Sequence, residues 1–474
     1  MRDVIELSAV QAVQALRTRQ ISPLELLDAV EERLAEVEPT VNAMPIRCMD
    51  RARQQARKLM SHQARSGLSG DSALLAGLPV SVKDIVDVEG APTTYGSAAA
   101  RDNIAAASDP LVERIERSGG IVVGKTNVPE FCAGTDTVNK AFGRTVNPWD
   151  TTVTCGASSG GAAVSVATGE VWCAHGEDTA GSIRIPASFA SIVGMRPSPG
   201  MVTAGRVPGL SSTLEVHGPL ARNVADAALF FSAMAGSRAQ RQAAATVAAE
   251  PLLPRRVAFT IGYQGALPVD PEIGKIVTDA IHRIGRSGCD VEEHAPPLGG
   301  VHEACLTLLS YRSAQRYGDL VDQMGGGAGA LIRLEIEAGK TISADALMAA
   351  ERERALFSRS LDAVFDRYDA FITPTFGCSP WTQPTVQEML PDERQLLQIM
   401  AVWPLTTAVT MAGCPAVSLP CGRTSRGLPV GLQLIGRAAS DTDLLRMAQA
   451  LEEACGVPAL PVTPSALIRQ EVIS

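Results

Sequence analysis

Several things are missing from this 474-residue chain, and each absence narrows what it can be. It has no cluster of five to eight basic residues, and its 42 Lys and Arg are outnumbered by 51 Asp and Glu, a formal charge of −9. That balance argues against a protein built mainly to neutralise a phosphate backbone. No stretch of about 18 uncharged apolar residues occurs, so no transmembrane helix is expected. The opening Met1-Arg2-Asp3-Val4-Ile5-Glu6 places acids where a signal peptide needs a basic segment followed by an apolar one, and the expected location is cytoplasmic. Ten cysteines are scattered along the chain, none in a Cys-x-x-Cys pair, which disfavours zinc ribbons and thioredoxin-like redox sites. They read as reduced, buried, small hydrophobic residues. There is no His-Glu-x-x-His and no clustered Cys/His spacing, so neither a metal nor an organic cofactor is implied. There is no internal repeat and no heptad pattern.

What is present is the profile of a globular protein: 46% hydrophobic and 20% charged residues. Residues 7–65 read as helices, with Ser8 and Ser22 at helix starts and Pro23 in the first turn of the second. From about residue 76 short apolar runs alternate with helical segments: strand 78–82, helix 109–118, strand 121–123, helix 159–169 and strand 171–174. Strand 256–261, helix 270–286 and strand 290–293 form a further unit, and Gly325–Gly329 reads as a loop. The fold class is therefore α/β, a central mixed sheet with helices on both faces. We read one domain over 1–474: helices at about 5–65, a catalytic core at about 70–235, an exposed Ala/Gln/Arg-rich connection at about 236–254, and a second half at about 255–470 that contributes the substrate pocket.

The densest unusual chemistry lies between Cys155 and Arg196. Cys155-Gly-Ala-Ser158-Ser159-Gly-Gly161 and Asp178-Thr-Ala-Gly-Ser182-Ile-Arg184 are Gly/Ser loops, each opening a helix and presenting hydroxyls and bare backbone N–H groups. Such groups suit a developing oxyanion, although ordinary capped helix starts look the same. Upstream, Gly77-Leu-Pro-Val-Ser-Val-Lys83-Asp84 ends an apolar strand on a lysine. A lysine in water is protonated at neutral pH and accepts nothing, but burial favours the neutral amine. A buried lysine beside two serines is a base for a serine nucleophile; a surface lysine after a strand is the ordinary alternative.

These segments resemble the amidase signature family. Lys83 matches its lysine motif, Ser158 its Gly-Gly-Ser-Ser-Gly-Gly loop and Ser182 its Asp-Thr-Gly-Gly-Ser-Ile-Arg loop, with the usual 24-residue interval between the serines. Flanking text agrees, in Gly124-Lys-Thr-Asn-Val-Pro-Glu-Phe131, Asn147-Pro-Trp-Asp150 and Gly427-Leu-Pro-Val-Gly-Leu-Gln433. The resemblance runs from about residue 5 to 453. It implies a Ser–cis-Ser–Lys triad in which Ser182 is the acylated nucleophile, Ser158 relays a proton after a cis peptide bond, and Lys83 is the base. By the same match, backbone N–H groups of Thr179, Ala180, Gly181 and Ser182 form the oxyanion hole, Cys132 and Gly134 line the pocket, and Asp178 and Arg184 hold the loops. Ala157 and Ala180 depart from the family pattern, each standing where glycine is usual. The implied activity is hydrolysis of a carboxamide to a carboxylate and ammonia or an amine, with esters, anilides and carbamates as further substrates. The implied partner is a small-molecule amide, with no nucleic acid and no membrane, in a monomer or homodimer. The acyl pocket is expected near 132–135, 304–320, 374–381 and 401–414. Cys378, Trp381, Met400, Trp403 and Met411 supply apolar surface for an aromatic or medium aliphatic group there, or else belong to the core.

Three other readings compete. Gly119-Gly-Ile-Val-Val-Gly124-Lys125-Thr126 fits the phosphate-loop expression, but its strand-like Ile121–Val123 sits inside the supposed loop. Gly156-Ala-Ser158-Ser-Gly160 fits a nucleophile elbow, which would make Ser158 the nucleophile of an α/β-hydrolase-type esterase and one histidine essential. In the triad reading the five histidines after Ser158 are dispensable. Finally, the same family includes the amidase component of a tRNA-dependent amidotransferase. That component usually carries Met-Asp-Glu-Phe where this chain has Val128-Pro-Glu-Phe131, and 300–390 lacks its matching text.

Overall fold

After a short α1 (Arg2–Glu6), two serines open the next helices, α2 (Ala9–Arg17) and α3 (Pro23–Val41). Ser8 and Ser22 each accept from the N–H three residues on, while Gln11 and Glu25 accept from the serine N–H in return. The computed structural model describes residues 2–66, 74–205, 213–236, 246–247, 250–458 and 460–467. Most of the expected connection at 236–254 therefore lies outside the described residues.

Beyond α3 come β1 (Ile46–Arg47), α4 (Met49–Ser66), β2 (Pro79–Lys83), α5 (Pro110–Arg117) and β3 (Ile121–Thr126). A small ribbon, β4 (Val138–Asn139) and β5 (Gly143–Arg144), precedes α6 (Gly160–Ala167), β6 (Cys173–Asp178), α7 (Arg184–Ala190), β7 (Val193–Arg196), β8 (Val216–Ala221) and α8 (Val224–Met234). The second half supplies β9 (Arg256–Phe259), α9 (Pro271–Arg286), β10 (Asp290–Glu293), α10 (Val301–Gln323), α11 (Ala330–Lys340), α12 (Ala344–Phe365) and β11 (Ala370–Pro374). It continues with α13 (Glu393–Val402), α14 (Pro404–Ala412), β12 (Ala416–Arg423), β13 (Pro429–Ile435) and α15 (Asp441–Cys455).

One 11-stranded mixed sheet runs β1-β3-β2-β6-β8-β7-β12-β13-β11-β9-β10, so β7 against β12 joins the two halves. Its β3-β2-β6 stretch is parallel, and every residue of those strands is buried. That is the pattern of strands covered on both faces. Within this apolar stretch the buried acidic and basic side chains stand out: Lys83, Lys125, His175, Glu177 and Asp178.

The expected elements are present with shifted ends. The strand expected at 171–174 is β6, displaced towards the C-terminus. Trp172 instead packs in the core with its indole N–H on the Leu7 carbonyl at 3.0 Å, while pairing with β8 extends the strand through Glu177↔His217 and Asp178↔Val216. The ten cysteines are free thiols, eight of them buried. Among the described residues no single helix is long and apolar enough to cross a membrane. The pair α13 and α14 passes that test only jointly, is bent by 42°, and has α14 buried over most of its length.

Candidate active site

Lys83 ends β2 and Asp178 ends β6, and because these strands are parallel neighbours both residues emerge at the same edge of the sheet. Such carboxyl ends are where open α/β sheets place their ligands. The two Gly/Ser loops converge there. Ser158 lies just before α6, after a cis Ala157–Ser158 peptide bond, as the resemblance implied. Ser182 lies just before α7, and its carbonyl accepts from the Ser159 N–H at 3.1 Å, which ties the loops together.

Lys83 is fully buried, and its Nζ is 2.7 Å from Ser158 Oγ. Ser158 is also buried, whereas Ser182, Thr179, Cys132 and Gly134 remain partly exposed. The Cys132 thiol lies 3.8 Å from a Glu177 carboxylate oxygen, at the back of the site. Burial pushes that thiol's pKa up, so it stays protonated.

Asp178 organises the Ser182 loop. Its carboxylate accepts from the N–H groups of Gly181 (3.0 Å) and Ile183 (3.1 Å), from Arg184 Nε (3.0 Å) and Nη2 (2.8 Å), and from Arg196 (3.2 Å). Burial alone would raise its pKa, but Arg184 and Arg196 hold it well below the carboxylate range. Arg184 reaches onward to Gln433 Oε1 (2.6 Å), the Thr406 carbonyl (3.1 Å) and Thr410 Oγ1 (3.1 Å). The Ala180 carbonyl is fixed from the other side by Trp403 Nε1 (2.7 Å) and Thr406 Oγ1 (2.8 Å). Both ends of the Ala180–Gly181 peptide are thus pinned.

Of the four residues expected to form the oxyanion hole, Thr179, Ala180, Gly181 and Ser182, the Gly181 N–H donates to Asp178 at 3.0 Å. The alanine departures also resolve. Positive φ falls on Gly156 (79°) and Gly181 (110°), not on Ala157 or Ala180. A Cβ at Gly181 would stand 2.7 Å from Thr406 Oγ1, so the strict glycine requirement in this loop belongs to 181.

A second layer was not visible in the sequence. Glu177 Oε2 lies 3.6 Å from Lys83 Nζ, and its other oxygen meets Arg312 (3.3 Å) and Arg316 (3.1 Å) of α10. Both arginines also pair with Glu215. Glu215 meets His217 Nε2 at 3.3 Å, His217 Nδ1 is 2.9 Å from His175 Nε2, and His175 Nδ1 accepts from the Lys83 backbone N–H at 3.2 Å. The chain of bonds thus closes a ring around Lys83. Burial depresses both histidine pKa values, His217 to about 4, so the pair is neutral at pH 7. Because Lys83 N–H is a donor, His175 must carry its proton on Nε2 and His217 on its own Nε2. Apart from Lys83 itself, Glu177, one residue before the recognisable loop, lies next to a motif.

The competing readings lose their footing on specific contacts. Lys125 lies within β3, 2.8 Å from Asp84 and 2.7 Å from both the Pro92 carbonyl and Thr93 Oγ1, so the segment is a buried strand and not a phosphate loop. Among the described residues no histidine bonds to Ser158, which removes the nucleophile elbow's base. Of the five later histidines, all among the described residues, His175 accepts a hydrogen bond from the Lys83 backbone N–H and none bonds to the Lys83 side chain. Of the apolar pocket residues, Met411 and Trp381 are buried in a core cluster with Phe189 and Phe376, and Trp381 donates to Asp136. Cys378 packs partly buried against that cluster, Met400 is partly exposed, and Trp403 donates a hydrogen bond to the Ser182 loop. Among the described residues no cluster of His, Cys, Asp or Glu is arranged to hold a metal ion.

Comparison with known proteins places this geometry in context. The family model described as Amidase matches residues 25–445. A glutamyl-tRNA(Gln) amidotransferase subunit from Symbiobacterium thermophilum is 33% identical over 94% of this chain and 96% of its own. Among solved structures, a bacterial aryl acylamidase of the amidase signature family superposes with a TM-score of 0.86 at 26% identity, covering 96% of this chain and 100% of that one. A second, described as an amidase, gives 0.81 at 28% identity over 94% and 99%.

Proposed function

The chain belongs to the amidase family, and from that premise we propose that it is an amidohydrolase that cleaves a carboxamide through an acyl-enzyme on Ser182. The single observation that carries the assignment of roles is the 2.7 Å contact between the buried Lys83 Nζ and Ser158 Oγ, behind a partly exposed Ser182. Ser182 Oγ attacks the substrate carbonyl and gives its proton to Ser158 Oγ, whose own proton passes to Lys83 as a neutral amine. The tetrahedral oxyanion takes hydrogen bonds from the free N–H groups of the Ser182 loop. The C–N bond breaks as the proton returns through Ser158 to the leaving nitrogen. Water then repeats the sequence and releases the carboxylate. The acyl-enzyme route tolerates several leaving groups, so esters and anilides fall within its chemistry.

Trp403, bonded to the Ala180 carbonyl and 6.4 Å from the His302 ring, supports an acyl pocket with an aromatic wall. We read the protein as acting alone on a small amide. The curated relatives favour a second reading, in which it serves as the amidase component of an amidotransferase. A purified chain that turns over simple amides without a partner supports the first; turnover only with a partner protein supports the second. The roles themselves are tested by treatment with a fluorophosphonate and peptide mapping. An adduct on Ser182 that is lost in Lys83→Met supports the triad, and an adduct on Ser158 overturns it.

A further inference from the structure

The ring of charges around Lys83 has an uneven sum. Arg312 and Arg316 cancel Glu177 and Glu215, and His175 and His217 are neutral at pH 7. The buried cluster is therefore electrically neutral when Lys83 is an amine, and carries one net positive charge when Lys83 is an ammonium. The remaining groups nearby are spoken for: Asp84 pairs with Lys125, Cys132 is a protonated thiol, and the Tyr317 hydroxyl is held neutral by burial. Among the described residues Glu177 is the one carboxylate within 4 Å of the lysine nitrogen, and it is contested by two guanidinium groups from a helix more than 100 residues further along the chain.

We propose that Glu177 is a positioning residue that, divided between Lys83 and the Arg312–Arg316 pair, sets the pH above which Lys83 works as a base. This rests on Lys83 being the base. A full ion pair to Glu177 alone would lock the lysine as a cation. A site with no carboxylate would leave the nitrogen without an anchor opposite Ser158. Two arginines drawing Glu177 away give the intermediate case: an oriented nitrogen that is not locked in a full ion pair. α10 thereby takes part in the reaction without touching substrate, and Arg312 and Arg316 line a cavity of about 560 Å³ together with Glu215 and His217.

The test uses the rate of fluorophosphonate labelling of Ser182, read by mass spectrometry from pH 5 to 10, which needs no identified substrate. Labelling by the unaltered protein rises with pH, as a serine activated by a base requires. In Glu177→Gln, which keeps shape and hydrogen bonds, the rise moves to lower pH by roughly 1–3 units, the effect of removing a neighbouring opposite charge. In Arg312→Gln it moves the opposite way, to higher pH. Opposite shifts in folded protein support the proposal. No shift in Glu177→Gln, or shifts of the same sign, overturns it. Should Glu177→Gln fail to fold, Glu215→Gln must lower the same midpoint, by a smaller amount, or the proposal falls. Lys83→Met separates the two levels: if it labels normally, the triad reading fails rather than this one.

Discussion

Two lysines on adjacent strands are both fully buried, yet their surroundings differ in kind. Lys125 on β3 sits against Asp84 at 2.8 Å, the Pro92 carbonyl at 2.7 Å and Thr93 Oγ1 at 2.7 Å, so its three ammonium protons each have a partner. Asp84 is itself bound by the Thr94 N–H and hydroxyl. Lys83 on β2 has one close hydroxyl, at 2.7 Å, and one carboxylate at 3.6 Å that two arginines share. A buried cation whose partners are saturated is part of the framework, while one with unfilled capacity can exchange a proton. The difference lies in the completeness of the shell, because burial is the same for both.

The sharpest way to break this contrast is to truncate each lysine. Lys83→Met should cost turnover several orders of magnitude, comparable to Ser182→Ala, with the melting temperature kept. Ser158→Ala should cost about 10²–10⁴-fold, the usual span for a lost proton-transfer group. Lys125→Met should do the reverse, destabilising the fold by about 3–5 kcal/mol because Asp84 is left buried without its cation. Denaturant melts and initial rates on one preparation check both. A thermally neutral Lys125→Met would dissolve the distinction.

Asp136 extends the comparison to a buried group with no opposite charge bonded to it. Its carboxylate accepts from Trp381 Nε1 at 3.1 Å and from Thr135, and burial pushes its pKa up to about 6. The folded chain then binds this proton more tightly than the unfolded one. Its contribution is full below about pH 4 and is lost as the pH rises through about 6, a swing of up to about 3 kcal/mol. Asp136→Asn should flatten the stability profile in that window. The smallest effect is expected at Ala180→Gly. With no positive φ to relieve there, activity should change by less than about threefold, whereas Gly181→Ala should be much more damaging.

The segments of the proposed triad were legible because each is a short local pattern and glycines mark the two serine loops. Lys83, Ser158 and Ser182 were each placed by a local pattern, and the structure brings them to one edge of the sheet. Glu215, Arg312 and Arg316 gave no local signal, since their meaning arises only when the arginines of α10 reach Glu177 and Glu215. Strand β8 shows the same limit for the fold. Val-His-Gly-Pro-Leu-Ala carries a Gly218-Pro219 pair that argues against a central strand, yet it lies between β6 and β7. The displaced start of β6 came from an apolar Val171-Trp172 that looks like strand and serves as core.

The bracing of the Ser182 loop has a consequence for how the protein comes to life on the ribosome. The residues that steady it from behind, Trp403, Thr406, Thr410 and Gln433, follow Arg184 by more than 200 positions. Synthesis is vectorial, so a nascent chain exposes both serines and the lysine long before these braces exist. Until the last quarter has emerged and added β12 and β13 to the sheet, Arg184 lacks Gln433 and the Ala180 carbonyl lacks its two donors. The bracing of the Ser182 loop is therefore a property of the finished sheet, absent from any fragment that stops before β13.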